Sequence, residues 1–247
     1  MKKHYYLLAL IACLLFSCQT YKNIPYYQDL DRSAPTQEQI TNHTPTIIQS
    51  EDIIGINVSS RTPEQSAIFN YSSKDNQANV SGYLVDAKGE VQLPLVGPLK
   101  VAGLTTTQVQ EKMNQLLTTY FKDPVSNVRI LNFKVSIYGD VLKPDVYSIK
   151  DERISITQAL TLAGDLNITA KRNILLIREE AGKRNFIPID LTSKKLFSSP
   201  YYYLRNNDQI YVQPDKIKLT TVDRSRTTSL VLSALSVVAI VFSVLYK

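Results

Sequence analysis

Two apolar segments, one near each end, limit what this chain can fold into. The first runs from Leu7 to Phe16 after a basic start, and the second runs from Leu230 to Tyr246 without a charged residue. Between them apolar and charged residues are mixed, and the whole chain is 44% hydrophobic and 20% charged. A water-soluble core is therefore expected only between the two segments, where the length allows one large or two small domains.

The N-terminal segment has the organisation of a secretory signal: a basic start, a ten-residue apolar run and a small residue before a cysteine. Ten apolar residues are too few to span a bilayer. The sequence Leu15-Phe16-Ser17-Cys18 resembles the bacterial lipobox. That resemblance implies a signal peptide of residues 1–17 and acylation of Cys18, which becomes the new N-terminus. We therefore predict a lipoprotein anchored through Cys18.

Two other interpretations of this segment stay open. Leu10-Ile11-Ala12-Cys13 has the same pattern, but a lipid at Cys13 would leave an apolar core of about six residues, shorter than secretory signals have. Alternatively, the segment is an ordinary secretory signal and Cys18 is incidental.

The C-terminal segment has the composition of a short membrane helix. Leu230 to Tyr246 would reach roughly 26 Å as an α-helix, close to the thickness of a thin bilayer such as the bacterial outer membrane. A polar run over residues 220–228 precedes it and favours a membrane approach. We predict a polar linker over residues 215–228 and a transmembrane helix over residues 229–247. The alternative is a C-terminal helix buried in a soluble core.

Serines in this segment follow a helical period. Four of them fall on one stripe of a helix, opposite a bulky apolar stripe: Ser229, Ser233, Ser236 and Ser243. Small residues let membrane helices approach closely, and a weakly polar face can line water. We therefore predict that these serines pack helices together or line a pore. The alternative is that serine is merely tolerated, because its hydroxyl can bond to the preceding turn.

Composition excludes several classes of function. Loss of Lys2 and Lys3 with the signal leaves 26 basic and 22 acidic residues, interspersed, so we expect no nucleic-acid binding. With Cys13 removed and Cys18 acylated, no cysteine remains for a disulfide or a metal site, and His43 is the only histidine of the mature chain. A histidine-based triad or a multi-histidine metal site is excluded. We predict no enzyme activity, no metal and no cofactor beyond the covalent lipid, although a carboxylate-only enzyme stays possible.

The middle of the chain begins with a proline-containing stretch, residues 18–45, that we interpret as the lipidated N-terminus and tether. A strand candidate follows at residues 53–58, and alternation on both sides of a turn at residues 86–89 predicts a hairpin. Thr105 and Gln108 have the spacing of a capping box, which predicts the start of an amphipathic helix.

The order and spacing of these elements resemble the polysaccharide biosynthesis/export domain, which we assign to residues 46–126. The residues that carry the resemblance are Tyr83-Leu84-Val85-Asp86, Gly89, Leu93-Pro94-Leu95, Gly97, Val101-Ala102-Gly103-Leu104-Thr105 and Asp123-Pro124-Val125.

A second unit is predicted over residues 127–214. It has alternating strands at its start, a second capping box at Ser155 and Gln158, and a helix that ends at Gly164. Further strand candidates lie at residues 174–177 and 186–189, and the unit ends with a turn and a strand up to Val212. This unit resembles the soluble-ligand-binding β-grasp (SLBB) domain.

Together these resemblances imply an α+β fold class: a periplasmic export domain followed by a β-grasp (SLBB-like) domain, with a C-terminal transmembrane helix. They imply a subunit of an outer-membrane translocon that exports capsular polysaccharide or exopolysaccharide from the periplasm to the cell surface. The implied partners are further copies in a homo-oligomeric ring, the polysaccharide, an inner-membrane polysaccharide co-polymerase and membrane lipid.

Three other functions compete with export. A membrane-anchored protein could bind a glycan without forming a pore, or act as an accessory subunit tethered to the inner membrane. A carboxylate-based glycan hydrolase is the last alternative. Tyr201, Tyr202 and Tyr203 are candidates either for glycan contact or for packing near a subunit interface.

Overall fold

The computed structural model describes residues 25–40, 42, 45–70, 82–180 and 182–215, together with the single positions 233, 236 and 237. The predicted signal peptide, Cys18 and most of the C-terminal segment lie outside the described residues.

Ten strands and three short α-helices are described. The strands are β1 (Ile53–Ser59), β2 (Tyr83–Leu84), β3 (Glu90–Leu93), β4 (Gly97–Lys100), β5 (Val125–Ile130), β6 (Lys134–Gly139), β7 (Asp145–Ser148), β8 (Asn173–Glu180), β9 (Lys183–Asp190) and β10 (Gln209–Val212). The helices are α1 (Pro63–Ser66), α2 (Thr106–Leu117) and α3 (Ile156–Leu162), and two 3-10 turns lie at Ala67–Phe69 and Lys194–Ser198.

The first unit is built around a three-stranded sheet in the order β2-β1-β5, with the β3–β4 hairpin beside it. Alternate residues of β1 are buried, as expected for a strand with one face on a core. The capping box predicted at Thr105 and Gln108 is formed and starts α2. The buried face of α2 comprises Val109, Met113 and Leu117. The core of this unit runs from Ile48 to Val128.

Residues 82–95 do not form the predicted hairpin. The turn is present, because the Gly89 amide donates to the Asp86 carbonyl at 2.8 Å. The strands on its two sides take different partners, however: β2 pairs with β1, and β3 pairs with β4. A local alternation of residues identifies the strands and the turn, but tertiary packing selects the partners.

The second unit is a five-stranded sheet in the order β7-β6-β10-β8-β9, with α3 packed over its buried face. β10 runs parallel to β6, whereas the other neighbours are antiparallel. A parallel pair needs a long connection, and here it contains α3 and the β8–β9 hairpin. The capping box at Ser155 and Gln158 is formed. The core of this unit runs from Phe133 to Val212.

The two units are joined closely. The predicted boundary after residue 126 falls inside β5, which pairs along its whole length with β1 of the first unit. Across the junction, the buried Asn206 Nδ2 donates to Asp52 Oδ1 at 2.6 Å. Burial raises the pKa of Asp52, while the donors Gln49 N and Asn206 Nδ2 act in the opposite direction. One buried side chain from each unit, Asp52 and Asn206, therefore forms a contact between the two units.

The prediction of a C-terminal transmembrane helix is corrected by the structure. Within the described ranges, no helix is long and apolar enough to cross a membrane. The longest of them, α2, has twelve residues and would extend about 18 Å, and one of its faces is polar. The prediction relied on an uncharged apolar stretch, on its length and on the polar run before it, and that stretch is already short for an average bilayer. The described ranges from residue 25 to residue 215 form a mixed α/β fold with three short helices.

Candidate functional site

A cleft of about 700 Å³ lies between the two units. The first turn of α2 contributes Thr105, Thr106 and Thr107, and the loop before α3 contributes residues 150–153. The remaining lining residues come from the start of the first unit, from β5, from the connection between β5 and β6, and from α3: Pro45, Thr46, Arg129, Ile130, Phe133 and Gln158. Both capped helices therefore begin at this cleft, since a residue of each capping box, Thr105 for α2 and Gln158 for α3, lines it.

The walls of the cleft are rich in hydrogen-bonding groups. The lining includes three cations, Arg129, Lys150 and Arg153, and two carboxylates, Asp151 and Glu152, which gives it a net charge of +1. Four threonine hydroxyls add donors and acceptors. Such a surface suits a polar, hydroxylated ligand better than an apolar one.

An aromatic surface continues the cleft over the second unit. Arg153 also lines a smaller pocket of about 260 Å³ with Tyr202 and Tyr203. Its guanidinium lies 5.0 Å from the centroid of the Tyr203 ring, within the range of a cation–π contact. The Tyr202 ring packs against Tyr203 at 5.0 Å and against Phe197 at 5.6 Å. The pocket thus has aromatic faces, hydroxyls and one cation.

The three consecutive tyrosines lie in a turn between the 3-10 segment and β10, not in a regular strand. All three are half-buried. The centroid of the Tyr201 ring lies 5.7 Å from the Arg178 guanidinium, so Tyr201 contacts a different cation from the one that contacts Tyr203. Stacking on cations and between Tyr202 and Tyr203 accounts for their partial burial, and Tyr202 and Tyr203 both line the small pocket.

The N-terminal stretch is held along the second unit. The amides of Tyr27 and Gln28 donate to Leu191 O and Thr192 O, at 3.2 and 2.6 Å. Further on, Asn42 Nδ2 donates to the carbonyls of residues 197 and 199, at 2.6 and 2.8 Å. We call residues 25–42 the strap. The residues interpreted as a tether therefore include a docked segment.

Charged contacts fix the middle of the strap. The Asp29 carboxylate accepts from Ser193 Oγ and from the Lys194 amide, both at 2.6 Å. These donors hold the pKa of Asp29 below its usual range. Glu38 lies 2.6 Å from Lys194 Nζ and raises the pKa of that amine.

The start of the strap closes a second pocket of about 460 Å³, lined by Tyr26, Tyr27, residues of α3 and Leu191. The Tyr26 hydroxyl donates to the Asp165 carboxylate, and the Arg172 guanidinium lies 5.7 Å from the ring centroid. Burial, followed by the hydrogen bond to Asp165, raises the pKa of Tyr26. Tyr26 is therefore neutral at physiological pH and acts as a hydrogen-bond donor.

None of the site residues predicted from the sequence lines these pockets within the described part of the chain. Cys18, Ser229 and Ser243 lie outside the described residues. Ser233 and Ser236 are helical and exposed, and Ser236 Oγ donates to the Ser233 carbonyl at 2.7 Å. A serine that is merely tolerated in a helix is expected to make such a bond to the preceding turn.

The described residues contain no group of three or more His, Cys, Asp and Glu side chains arranged to hold a metal ion. The cleft and pockets offer hydroxyls, amides, aromatic rings and cations. These groups can bind a ligand through hydrogen bonds and stacking.

Sequence reasoning missed Tyr26, Tyr27 and Arg153. The two tyrosines lie in a proline-containing polar stretch without helical or strand periodicity, and Arg153 is one of several charges in a loop. Their partners are distant in sequence, so no local pattern identifies them.

Comparison with known proteins agrees with the resemblance in the first unit. Residues 41–131 match the family model described as polysaccharide biosynthesis/export protein. A relative from Ralstonia solanacearum, the EPS I polysaccharide export outer membrane protein EpsA, is 30% identical over 139 residues, which are 55% of this chain and 37% of the relative. The protein of the same name from Ralstonia nicotianae is 27% identical over 216 residues, 78% of this chain and 57% of the relative.

The chain thus spans between about a third and three fifths of the length of these curated relatives. The family match includes all of β1 to β5 and α2, which are the elements that form the core of the first unit. Residues 41–131 of the chain thus form a unit that matches the polysaccharide biosynthesis/export protein family.

Proposed function

We propose that this chain is a subunit of a machine that carries an extracellular polysaccharide across the bacterial outer membrane. The observation that carries the proposal is the family match over residues 41–131, which covers a complete folded unit and not an isolated motif. The longer of the two relative matches extends over 78% of the chain, so the likeness continues beyond that unit.

The outer membrane is the proposed location. Both relatives are named as outer membrane proteins. The signal and Cys18 supply a means of attachment from the periplasmic side, since a lipidated N-terminus holds a soluble protein at a membrane. The two described units would then lie in the periplasm.

An assembly of several copies is part of the proposal. Each described unit has a core filled by its own side chains. A polymer needs an opening, and two small filled units leave none within one copy. We therefore propose a homo-oligomeric ring around the polysaccharide, fed by an inner-membrane co-polymerase. A single lipid anchor per copy is compatible with such a ring.

The inter-unit cleft and the adjoining tyrosine pocket are the proposed polymer-contacting surfaces. Their hydroxyls and cations can bond to sugar hydroxyls and carboxylates, and the rings of Tyr202 and Tyr203 offer apolar faces.

A second candidate is a lipid-anchored glycan-binding protein that does not translocate polymer. The observation that favours it is the stacked Arg153–Tyr203–Tyr202 group, which could hold a sugar without any ring of subunits.

Deletion of the gene separates the two functions. The export proposal predicts loss of polymer from the cell surface together with its accumulation inside the cell envelope, and rescue by the wild-type chain. A binding role predicts that polymer still reaches the surface and is only less well retained there, released into the medium. Normal surface polymer in the deletion strain would overturn both.

A further inference from the structure

Three chain segments meet at one end of the second unit, which we call the tip: residues 140–143, 163–172 and 213–215. The amides of Leu142 and Asn167 donate to Asp165 O and Asp140 O, both at 3.1 Å. The buried Asp140 accepts from Asn167 Nδ2 at 2.8 Å and from Thr169 Oγ1 at 2.7 Å. The amide of Asp215 donates to Thr169 O at 2.8 Å, which fixes the exit of the chain at the same end.

The first unit lies at the opposite end of the sheet. β6 and β10 end at the tip, and β8 begins there. The far end of β8 and its hairpin turn to β9 lie beside residues 47–50 of the first unit, around a shared pocket. β8 has eight residues and spans about 25 Å, so the tip is separated from the first unit by about that distance.

Two large apolar side chains are exposed at the tip. Leu142 is 62% exposed and Ile168 is 59% exposed. Both belong to loops whose flanking backbone and side chains are hydrogen-bonded, so the apolar groups are displayed on a rigid base. Leu142 and Ile168 are therefore the large apolar groups that the tip presents to solvent.

Charge at the tip is balanced. Three cations of the tip, Lys143, Lys171 and Arg172, are offset by three carboxylates, Asp140, Asp165 and Asp215. Binding through this surface would therefore depend on the burial of Leu142 rather than on attraction to an anionic partner.

The strap begins at the tip and limits its distance from the lipid anchor. The Tyr26 hydroxyl donates to Asp165, beside Leu142, and Arg172 stacks on the same ring. Seven Cα–Cα steps separate Cys18 from Pro25, and even fully extended they reach about 25 Å. A lipid on Cys18 consequently keeps the tip within about that distance of the leaflet that holds it.

We propose that the tip is a membrane-docking surface, at which Leu142 and Ile168 enter the lipid leaflet that carries the acyl chains of Cys18. This proposal rests on the lipidation included in the proposed function. The second unit then lies against the membrane, and the first unit projects away from it by the length of the sheet. The strap, latched by Tyr26, sets this orientation.

Site-specific fluorescence on the full-length lipidated protein tests the docking. The mature chain has no cysteine besides the acylated Cys18, so one introduced cysteine can be labelled with an environment-sensitive nitrobenzoxadiazole dye. The protein is reconstituted in phosphatidylethanolamine–phosphatidylglycerol vesicles, with or without lipids that carry a nitroxide quencher on the acyl chain. Leu142→Cys is matched by Leu84→Cys, at 62% and 61% exposure, and Ile168→Cys by Val125→Cys, both at 59%.

We expect the nitroxide lipids to remove most of the emission at positions 142 and 168 and to leave positions 84 and 125 unchanged. Raised salt should not alter this pattern, because the charges at the tip balance. Unquenched dye at 142 and 168 in protein that floats with the vesicles would overturn the docking while leaving the lipid anchor intact. Protein that does not float lacks the anchor, and that result would overturn both the lipidation and the docking built on it.

Discussion

The buried ion pair between Arg178 and Asp208 should be the most sensitive polar contact of the second unit. Asp208 Oδ2 lies 2.6 Å from Arg178 Nη2, and the two side chains are 1% and 5% exposed. Asp208 also accepts from Arg178 Nε at 2.9 Å and from the Arg205 amide at 2.7 Å. Asp208→Asn leaves a buried guanidinium without its counter-charge, which costs about 3–5 kcal/mol.

A matched control lies at the next position of β8. Glu179 and Arg184 are also 2.6 Å apart, but both side chains are 61% exposed. Because solvent screens this pair, Glu179→Gln should cost about 1 kcal/mol or less. The two pairs therefore have the same ion-pair distance and differ mainly in burial.

Urea unfolding of the full-length protein in detergent measures both variants. The chain has 15 tyrosines and no tryptophan, so near-ultraviolet circular dichroism reports tyrosine packing, including Tyr201 on Arg178. At a slope of about 1.5 kcal/mol per molar urea, Asp208→Asn should lower the midpoint of the second unit by about 2 M or more. Equal, small shifts for both variants would refute the argument from burial. Replacing both partners, with Arg178→Met and Asp208→Leu, should recover part of the loss.

Three further predictions concern the backbone, a cap and the strap. Gly139→Ala should lower the free energy of unfolding by about 2 kcal/mol or more, because φ is +102° and a Cβ would overlap the Val212 carbonyl; wild-type stability would contradict this. Thr105→Ala removes the accepting oxygen of the α2 cap and should cost about 1 kcal/mol in the same assay, whereas Thr105→Ser should be nearly neutral. The Asp29 pKa is lowered by its contacts, so the strap contact is complete above the ordinary pKa of an aspartate and is lost as pH falls through the lowered value. In the wild type, exchange protection of the Lys194 amide should follow that pH dependence, whereas in Asp29→Ala, which has no acceptor oxygen, the protection should be absent; identical protection in both proteins would exclude the carboxylate as the acceptor.

Local sequence rules were sufficient for elements whose determinants lie within a few residues. Both capping boxes formed as predicted, since Thr105 and Ser155 need only the residue three positions later. The strands predicted at 174–177 and 186–189 lie within β8 and β9. The predicted hairpin at residues 82–95 was wrong, because alternation does not encode which strand is the neighbour.

The candidate site depends on contacts that no local pattern contains. Tyr26 meets Asp165 across 139 positions, and Asn206 meets Asp52 across 154. The transmembrane helix was predicted from the lack of charge, the length and the preceding polar run of the C-terminal segment, whereas no helix among the described residues is long and apolar enough to span a membrane. Hydropathy reports only a preference for an apolar environment, whereas a span also needs a continuous helix of sufficient length.

Pulse labelling tests the proposed transfer of polysaccharide to the cell surface by this chain. Cells receive a brief pulse of labelled sugar, and the polymer is then followed with time inside the envelope and on the surface, with and without the chain. Export by this chain predicts that labelled polymer is made at a normal initial rate without it but stays within the envelope, and that restoring the chain transfers it outward. Labelled polymer that reaches the surface at the same rate in both strains would contradict the account.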